Sequence, residues 1–157
     1  MKKLFFILII LSTILSIGCS SSISSNDGKK REEYISEAYE WFENEVNEFN
    51  KTQVTDKIEL RREDNVFIYT MPYSDGTPVS EMQTEEFEGF TDIAKSIRQG
   101  TVNSLSYYYD NIVKEFGDDY EVILKSEKSM GGETYLIASY GKDGYKFEYD
   151  LFEELGY

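Results

Sequence analysis

Acidic and hydroxyl side chains are abundant in this chain, and both types can form a catalytic site. The 157 residues include 30 Asp and Glu against 16 Lys and Arg, with one cysteine and no histidine. The lack of histidine excludes histidine bases and histidine metal ligands, and a single cysteine excludes an internal disulfide and a thiolate cluster. The formal charge of −14 argues against a nucleic-acid-binding surface, because phosphate neutralisation requires clustered lysine and arginine.

Paired carboxylates could hydrolyse glycosidic bonds, and two pairs, Asp118–Asp119 and Glu148–Asp150, have the required residue types. With 30 acids such pairs arise by chance, so we interpret them as solvated surface. A calcium loop would need the pattern D-x-[DN]-x-[DN]-G, which the chain lacks, and its Asp-Gly dipeptides are typical of turns. We therefore predict no metal and no cofactor.

Nucleophilic catalysis without histidine would need a serine with a lysine base one helical turn away. Lys95-Ser96 and the pair Ser126 and Lys128 offer the residue types without that spacing. We therefore predict a protein that is not an enzyme. The alternative is a small carboxylate-dependent hydrolase of the cell envelope.

The amino terminus has the three parts of a secretory signal. A basic leader, Met1–Lys3, precedes a largely apolar run over residues 4–15, and small residues follow up to Cys19. A bilayer span needs about 20 apolar residues, so this run is short for a transmembrane helix. We predict a signal peptide that is removed, with a retained signal anchor as the alternative.

The residues Ser16-Ile17-Gly18-Cys19 resemble the lipobox of bacterial lipoproteins, in which a small residue precedes an invariant cysteine. The resemblance implies cleavage between Gly18 and Cys19 and a diacylglyceryl group on the cysteine thiol. Ser16 departs from the pattern, since leucine or valine is usual there, and a free thiol in an ordinary secretory signal is the alternative. A lipid on Cys19 would anchor the protein at the outer, extracytoplasmic face of a bacterial membrane.

Three segments are predicted along the chain. Residues 1–18 form the signal peptide, residues 19–30 the lipidated cysteine and a flexible serine-rich tether, and residues 31–157 a single domain. Cleavage would remove two lysines and no acid, so the mature body would carry a charge of −16. Acyl chains rather than this acidic surface would then hold the protein at anionic headgroups.

Hydrophobic periodicity predicts the elements of the domain. A spacing of three and four predicts a helix over 31–51, and alternating residues predict a β-hairpin over 58–73. A capping box at Ser80 and a second apolar stripe predict a long helix over 80–117, in one piece or divided at Gly100. Strands over 120–128, 133–140 and 145–150 follow, joined by glycine-containing turns, and a short tail over 151–157 frays. This order predicts an α+β fold with the helices on one face of an antiparallel sheet.

The same order of elements, behind a lipobox and a serine-rich tether, resembles a group of small Gram-positive lipoproteins that carry a domain of unknown function. The resemblance covers about residues 31–150 and rests on the hairpin at 58–69, the long acidic helix and the hairpin at 122–136. The strand over 145–150 is an addition to that pattern. The resemblance implies a fold and a cellular location, and no catalytic residue.

Tyrosine is also abundant, with 13 residues in the chain. Consecutive helical residues step by about 100°, so Tyr107, Tyr108 and Tyr109 cannot all face one core. Tyr109 fits the apolar stripe, which leaves Tyr107 and Tyr108 as candidates for a recognition surface. The alternative is that tyrosines fill the helix–sheet interface with their hydroxyls at its rim.

The predicted function is a monomeric interaction module with an unidentified protein or envelope partner. Its acidic surface favours basic partners over nucleic acid. A further alternative is an inhibitor or immunity lipoprotein that acts through an acidic face.

Overall fold

The computed structural model describes residues 21–53, 57–82 and 89–157. Its elements in chain order are α1 (Ser21–Thr52), β1 (Glu59–Glu63), β2 (Val66–Tyr73), a 3₁₀ turn (Val79–Met82), α2 (Phe90–Phe116), β3 (Ile123–Met130), β4 (Glu133–Gly141), β5 (Gly144–Asp150) and α3 (Leu151–Glu154). The predicted α+β class is confirmed, with the two long helices on one side of a five-stranded sheet. None of the helices in these ranges is long and apolar enough to cross a membrane.

The strands follow the sheet in sequence order, from β1 at one edge to β5 at the other. Neighbours pair antiparallel except β2 and β3, which are parallel, with Phe67 opposite Leu124 and Tyr69 opposite Ser126. Parallel neighbours require a crossover connection, and α2 supplies it. The predicted sheet was wholly antiparallel because the two hairpin signals carry no information about how β2 meets β3.

The main core lies between α1, the carboxyl-terminal half of α2 and the sheet. Its buried side chains come from one face of each element: Ile35, Ala38, Phe42, Val46, Phe67, Tyr69, Leu105, Ile112, Val122, Leu124 and Ala138. The Phe42 ring centroid lies 6.1 Å from that of Phe67 and 5.1 Å from that of Tyr108. Fully burying a side chain of this size contributes roughly 1.5–3 kcal/mol, so this layer is the main source of stability.

A second core lies under the amino-terminal half of α2. It contains Val79, Phe90, Ala94, Tyr135, Leu136, Leu151 and Phe152. Two of these residues, Leu151 and Phe152, belong to the segment 151–157 that the sequence predicts to fray, so that prediction is wrong. The Phe152 ring lies 5.7 Å from Phe90 and 5.6 Å from Tyr135, which docks the segment against α2 and β4.

Helix α1 begins at Ser21, ten residues before the predicted start. Residues 21–30, predicted to be a flexible tether, are therefore helical in the structure. The Tyr120 hydroxyl donates to an Asp27 carboxylate oxygen at 3.0 Å, and the Arg31 guanidinium donates to both oxygens of Asp64 at 3.1 Å. These contacts join α1 to loops of the globular body, and the serine-rich composition does not reveal them.

Residues 1–20 lie outside the described residues. They include the predicted cleavage site at Gly18 and the predicted lipid attachment at Cys19. Signal cleavage and lipidation therefore stay predictions from the sequence.

Helix α2 begins at Phe90 rather than at Ser80. Ser80 lies in the 3₁₀ turn, where its main-chain N–H donates to a Glu133 carboxylate oxygen at 2.9 Å. The Ser80 amide, which the capping box assigns to the Gln83 side chain, is therefore bound by a residue 53 positions away, while Gln83 and the rest of the predicted helix over 83–88 lie outside the described residues. The residue that precedes the helix is Gly89, with a left-handed φ of 100°.

From Phe90 onwards α2 is one uninterrupted helix, which decides between the one-piece and two-piece predictions for these residues. Thr101 does not begin a second helix, because its hydroxyl donates back to the Ile97 carbonyl at 2.7 Å. The helix ends at Phe116, and Gly117 follows with a φ of 83°, in agreement with the predicted end.

The carboxyl-terminal hairpins are confirmed, although β3 begins three residues later than predicted. Gly131 and Gly132 form the β3–β4 turn with φ values of 58° and 83°, which suit glycine. A Cβ on Gly131 would lie 2.5 Å from the Gly76 carbonyl oxygen, so this turn also packs tightly against the loop after β2.

Candidate functional site: two grooves along helix α2

Helix α2 crosses the inner face of the sheet and leaves a groove of about 560 Å³ on each side of its amino-terminal half. The β5 groove lies towards the sheet edge and is lined by Lys95, Ser96, Arg98, Gln99, Val102, Tyr145 and Phe147. The Lys128 groove lies on the other side and is lined by Asp92, Ile93, Ser96, Ile97, Gly100, Ser104 and Lys128. The two grooves lie on opposite sides of the buried stripe of α2 and share one of the described lining residues, the exposed Ser96.

The β5 groove presents aromatic side chains on an edge strand. Tyr145 and Phe147 alternate along β5 and both line the groove, with ring centroids 5.6 Å apart. Tyr145 is 58% exposed, although it lies on the sheet face that α1 and α2 pack against. Among the described residues that line the groove none is acidic, which is unusual in a chain with 30 acids.

Arg98 forms the floor of the β5 groove and is occupied by contacts within the protein. Its Nε donates to Asp150 Oδ2 at 2.5 Å, and its Nη2 donates to the Tyr157 main-chain oxygen at 3.0 Å. The guanidinium carbon lies 5.7 Å from the centroid of the Phe152 ring. Arg98 therefore holds the segment after β5 against α2, and its charge is already paired.

The Lys128 groove contains the ammonium group of Lys128. Lys128 lies on the inner face of β3, between Met71 on β2 and Leu136 on β4. It makes no hydrogen bond or ion pair with any residue in the described ranges, and burial lowers its pKa below the usual 10.5. The hydroxyls of Ser96 and Ser104 line the same groove and likewise lack hydrogen bonds to described residues.

The two tyrosines predicted as a recognition surface have different environments. Tyr107 is 60% exposed. Tyr108 is half-buried, with its ring centroid 5.1 Å from that of Phe42, and burial raises its pKa. Tyr108 is therefore largely a core residue. The exposed Tyr145 was not singled out, although the alternation of aromatic and charged residues along its strand was visible in the sequence.

The predicted acid pairs do not combine into one site. Glu148 accepts from Lys125 Nζ at 2.7 Å, and this hydrogen bond lowers the pKa of Glu148. Asp150 is buried and pairs with Arg98 on the opposite side of β5. Asp118 and Asp119 are exposed in the loop after α2.

The Ser126–Lys128 pair is also separated by its environment. The Ser126 hydroxyl is fully buried in the main core without a hydrogen-bond partner among described residues, whereas Lys128 opens into its groove. Burial raises the pKa of Tyr69, the strand neighbour of Ser126, to about 12. The arrangement does not connect a serine nucleophile to a lysine base.

Ion pairs cover the outer face of the sheet. Arg61 on β1 donates to both carboxylate oxygens of Glu127 on β3, at 2.8 and 3.0 Å, and Lys125 pairs with Glu148 on β5. Positive and negative side chains alternate there, so this face is not uniformly acidic.

Helix α1 carries a dense run of exposed acids, although most exposed acids among the described residues lie on other elements. Its solvent-facing side carries Glu32, Glu33, Glu37, Glu40, Glu43, Glu45 and Glu48. Within the ranges that the structure describes, no group of three or more Asp, Glu or Cys side chains could hold a metal ion.

Comparison with known proteins adds no relative to this description. The resemblance to bacterial lipoproteins therefore rests on residues 16–19 and on the order of the elements. No protein-family model matches the chain, and neither a curated protein nor a solved structure is significantly similar to it.

Proposed function

We propose that this protein is a lipid-anchored interaction module at the outer face of a bacterial membrane, and that it binds its partner through the β5 groove. The observation that carries the proposal is the exposed Tyr145 on an edge strand, beside a groove whose described lining residues include no acid. The partner is a protein or another component of the envelope, and the binding involves no chemical step.

The β5 groove has the features of a surface for an extended segment. An edge strand has a row of main-chain groups that are unpaired within its sheet, and a bound strand can use them while pockets beside it select side chains. Tyr145, Phe147 and Val102 supply apolar contact beside this edge. Exposed tyrosines often dominate the binding energy of an interface, so Tyr145 is the natural anchor.

The charge of the groove changes the expected partner. The chain as a whole is strongly acidic, which favours basic partners. The described residues that line the groove include Lys95 and no acid, and Asp150 balances the charge of Arg98, so a neutral segment can enter without repulsion from the groove lining. A partner that is basic throughout is therefore not required.

The acids near the groove support a binding role over hydrolysis. A general acid needs a carboxyl group whose pKa is raised. The pKa of Glu148 is lowered instead by the hydrogen bond from Lys125, and Asp150 is occupied by Arg98 and by the cap of α3. These contacts make both carboxylates structural.

The membrane anchor is tested by metabolic labelling. Radiolabelled palmitate should enter the wild-type protein expressed in a Gram-positive host and should not enter Cys19→Ala. Label in the Cys19→Ala variant, or none in the wild type, would contradict the lipoprotein proposal. This experiment is independent of the groove.

The groove is tested by affinity capture from the native envelope with the full chain and two matched variants. Tyr145→Ala should lose the captured partner, whereas Tyr107→Ala should retain it. Both tyrosines are well exposed, and at about 100° per residue Tyr107 lies roughly 140° around α2 from Val102 in the groove. If only Tyr107→Ala released the partner, the interaction surface would be the one predicted from the sequence, and the groove proposal would be wrong.

One observation favours a second candidate function. The seven glutamates on the exposed side of α1 form an acidic face, as expected for an inhibitor or immunity lipoprotein that blocks a basic partner. In that case Glu37→Lys with Glu40→Lys should abolish binding, and the affinity should fall steeply with ionic strength. If the partner binds in the β5 groove instead, this double variant should bind it as well as the wild type does.

A further inference from the structure

The Lys128 groove combines one positive charge with apolar walls. The strand neighbours of Lys128, Met71 and Leu136, belong to the two hydrophobic cores, and Ile93 and Ile97 line the groove from α2. Ile93 is 45% exposed and faces solvent, whereas Ile97 is partly buried against the second core. A side chain with an ammonium group at its end is poorly suited to this environment unless something neutralises it.

The protein itself does not supply the counter-charge within the described residues. Asp92 is the only acid among the described groove residues, and its carboxylate lies 3.9 Å from the Lys95 ammonium instead. The lowered pKa of Lys128 has burial as its only resolved cause, as expected for a desolvated amine without a partner. The hydroxyls of Ser96 and Ser104, which have no hydrogen bond to a described residue, add two donors to the groove lining.

The shape of the groove leaves room beside this charge. Gly100 lies on the groove side of α2 between Ser96 and Ser104, and a Cβ placed on it would meet nothing within 4 Å. The groove is open to solvent rather than enclosed, and its volume of about 560 Å³ can hold a small molecule, since small-molecule sites usually measure about 300–1,000 Å³. A few polar groups among apolar side chains are also typical of such sites.

We propose that the Lys128 groove binds a small organic acid with an apolar tail. The carboxylate pairs with the Lys128 ammonium and accepts hydrogen bonds from the hydroxyl of Ser96 or Ser104. The tail lies along Ile93 and Ile97 over the open space at Gly100. This site lies on the other side of α2 from Tyr145 and Phe147, although Ser96 lines both grooves, and it does not depend on the partner proposed for the β5 groove.

The proposal is tested with octanoate as the probe and with 1-octanol as its uncharged counterpart, by titration calorimetry on the full chain at pH 7. Octanoate should bind at least tenfold more tightly than octanol, because only octanoate pairs with the ammonium group. Lys128→Met, which keeps the aliphatic stem, should weaken octanoate binding at least tenfold. Lys142→Met, an exposed lysine in the β4–β5 turn, should bind as the wild type does.

A second variant blocks the groove without removing the charge. Gly100→Leu places a side chain in the open space beside α2 and favours the helix over glycine, so it should fold and yet lose octanoate. Acylation of Lys128 by an N-hydroxysuccinimide ester provides an independent readout, and octanoate should slow it at Lys128 and not at Lys142. Equal binding of octanoate and octanol, unchanged affinity in Lys128→Met, or no octanoate binding at millimolar concentration would overturn the proposal.

Discussion

Replacing Arg98 with methionine should destabilise the protein by about 3 kcal/mol, since it leaves a buried carboxylate without its counter-charge. The Asp150 side chain is 6% exposed. The side chain of Arg98, its ion-pair partner in the structure, is 20% exposed. Methionine retains the aliphatic part of the arginine side chain, which packs against the segment after β5. The variant therefore removes mainly the guanidinium group.

The magnitude follows from the contacts that remain. Removing one partner of a buried pair costs about 3–5 kcal/mol. We expect the lower end, because Asp150 Oδ1 still accepts from the Glu153 main-chain N–H at 3.3 Å and the groove admits water to the vacated space. For a chain of this length 3 kcal/mol lowers Tm by roughly 6–12 °C.

Chemical denaturation at pH 7, followed by circular dichroism, measures the effect. The matched control is Lys95→Met on the same helix. The Lys95 ammonium lies 3.9 Å from its partner Asp92, and both side chains are exposed, so this variant should destabilise the protein by less than about 1 kcal/mol. Adding Asp150→Asn to Arg98→Met should recover at least about 1 kcal/mol, because the uncompensated charge disappears. If Arg98→Met cost no more than Lys95→Met, the assignment of Arg98 as the residue that holds the carboxyl-terminal segment would be refuted.

Three further predictions concern single sites. Gly131→Ala should lower the free energy of unfolding at least twice as much as Gly132→Ala, as measured by thermal denaturation. Both glycines have a positive φ, which costs an alanine about 1–2 kcal/mol, but only a Cβ on Gly131 meets a main-chain oxygen, at 2.5 Å. In a titration of tyrosine absorbance, Tyr69 and Tyr135 should remain protonated at pH 11, because burial raises the pKa of each to about 12; the stability this contributes is complete below pH 10 and is lost as pH rises towards 12. Lys128→Met should be more stable than the wild type at pH 7, and the difference should narrow as the pH approaches 10.5, because the unfolded chain binds the Lys128 proton more tightly than the folded one.

Local patterns predicted the parts of the fold that local contacts determine. The apolar stripe of α1 from Ile35 to Val46, the two hairpins after α2 and the end of α2 at Gly117 all follow from residue spacing or from a glycine with positive φ. Each of these features depends on residues within a few positions of one another, which is the range that periodicity and turn chemistry describe.

The features that the sequence did not predict depend on distant pairs. Arg98 and Asp150 are 52 residues apart, and their contact is what docks a segment that looks like a frayed tail. The amide of Ser80 is bound by Glu133 rather than by a neighbour in a capping box. The parallel pairing of β2 with β3 likewise has no signature in either strand.

Both grooves belong to this second class. Lys128 follows Ser126 in a strand with mixed polarity, and only the register places it between Met71 and Leu136 under α2. Tyr145 was visible as part of an alternating strand, but its exposure depends on β5 lying at the sheet edge. The residue types at these positions can be read from the sequence, whereas the sheet order determines which of the side chains are accessible.

Site-specific photo-crosslinking in the native envelope tests the proposed interaction most directly. A photoreactive amino acid is placed at Gln99 in the β5 groove and, as the control, at Glu115 on the same helix. Both positions are exposed, and 16 residues at about 100° each place them roughly 160° apart around α2. Position 99 should give one saturable crosslinked partner that Tyr145→Ala abolishes, and position 115 should give none. Equal crosslinking at both positions, or a product at 99 that Tyr145→Ala leaves unchanged, would contradict an interaction module that binds through the β5 groove.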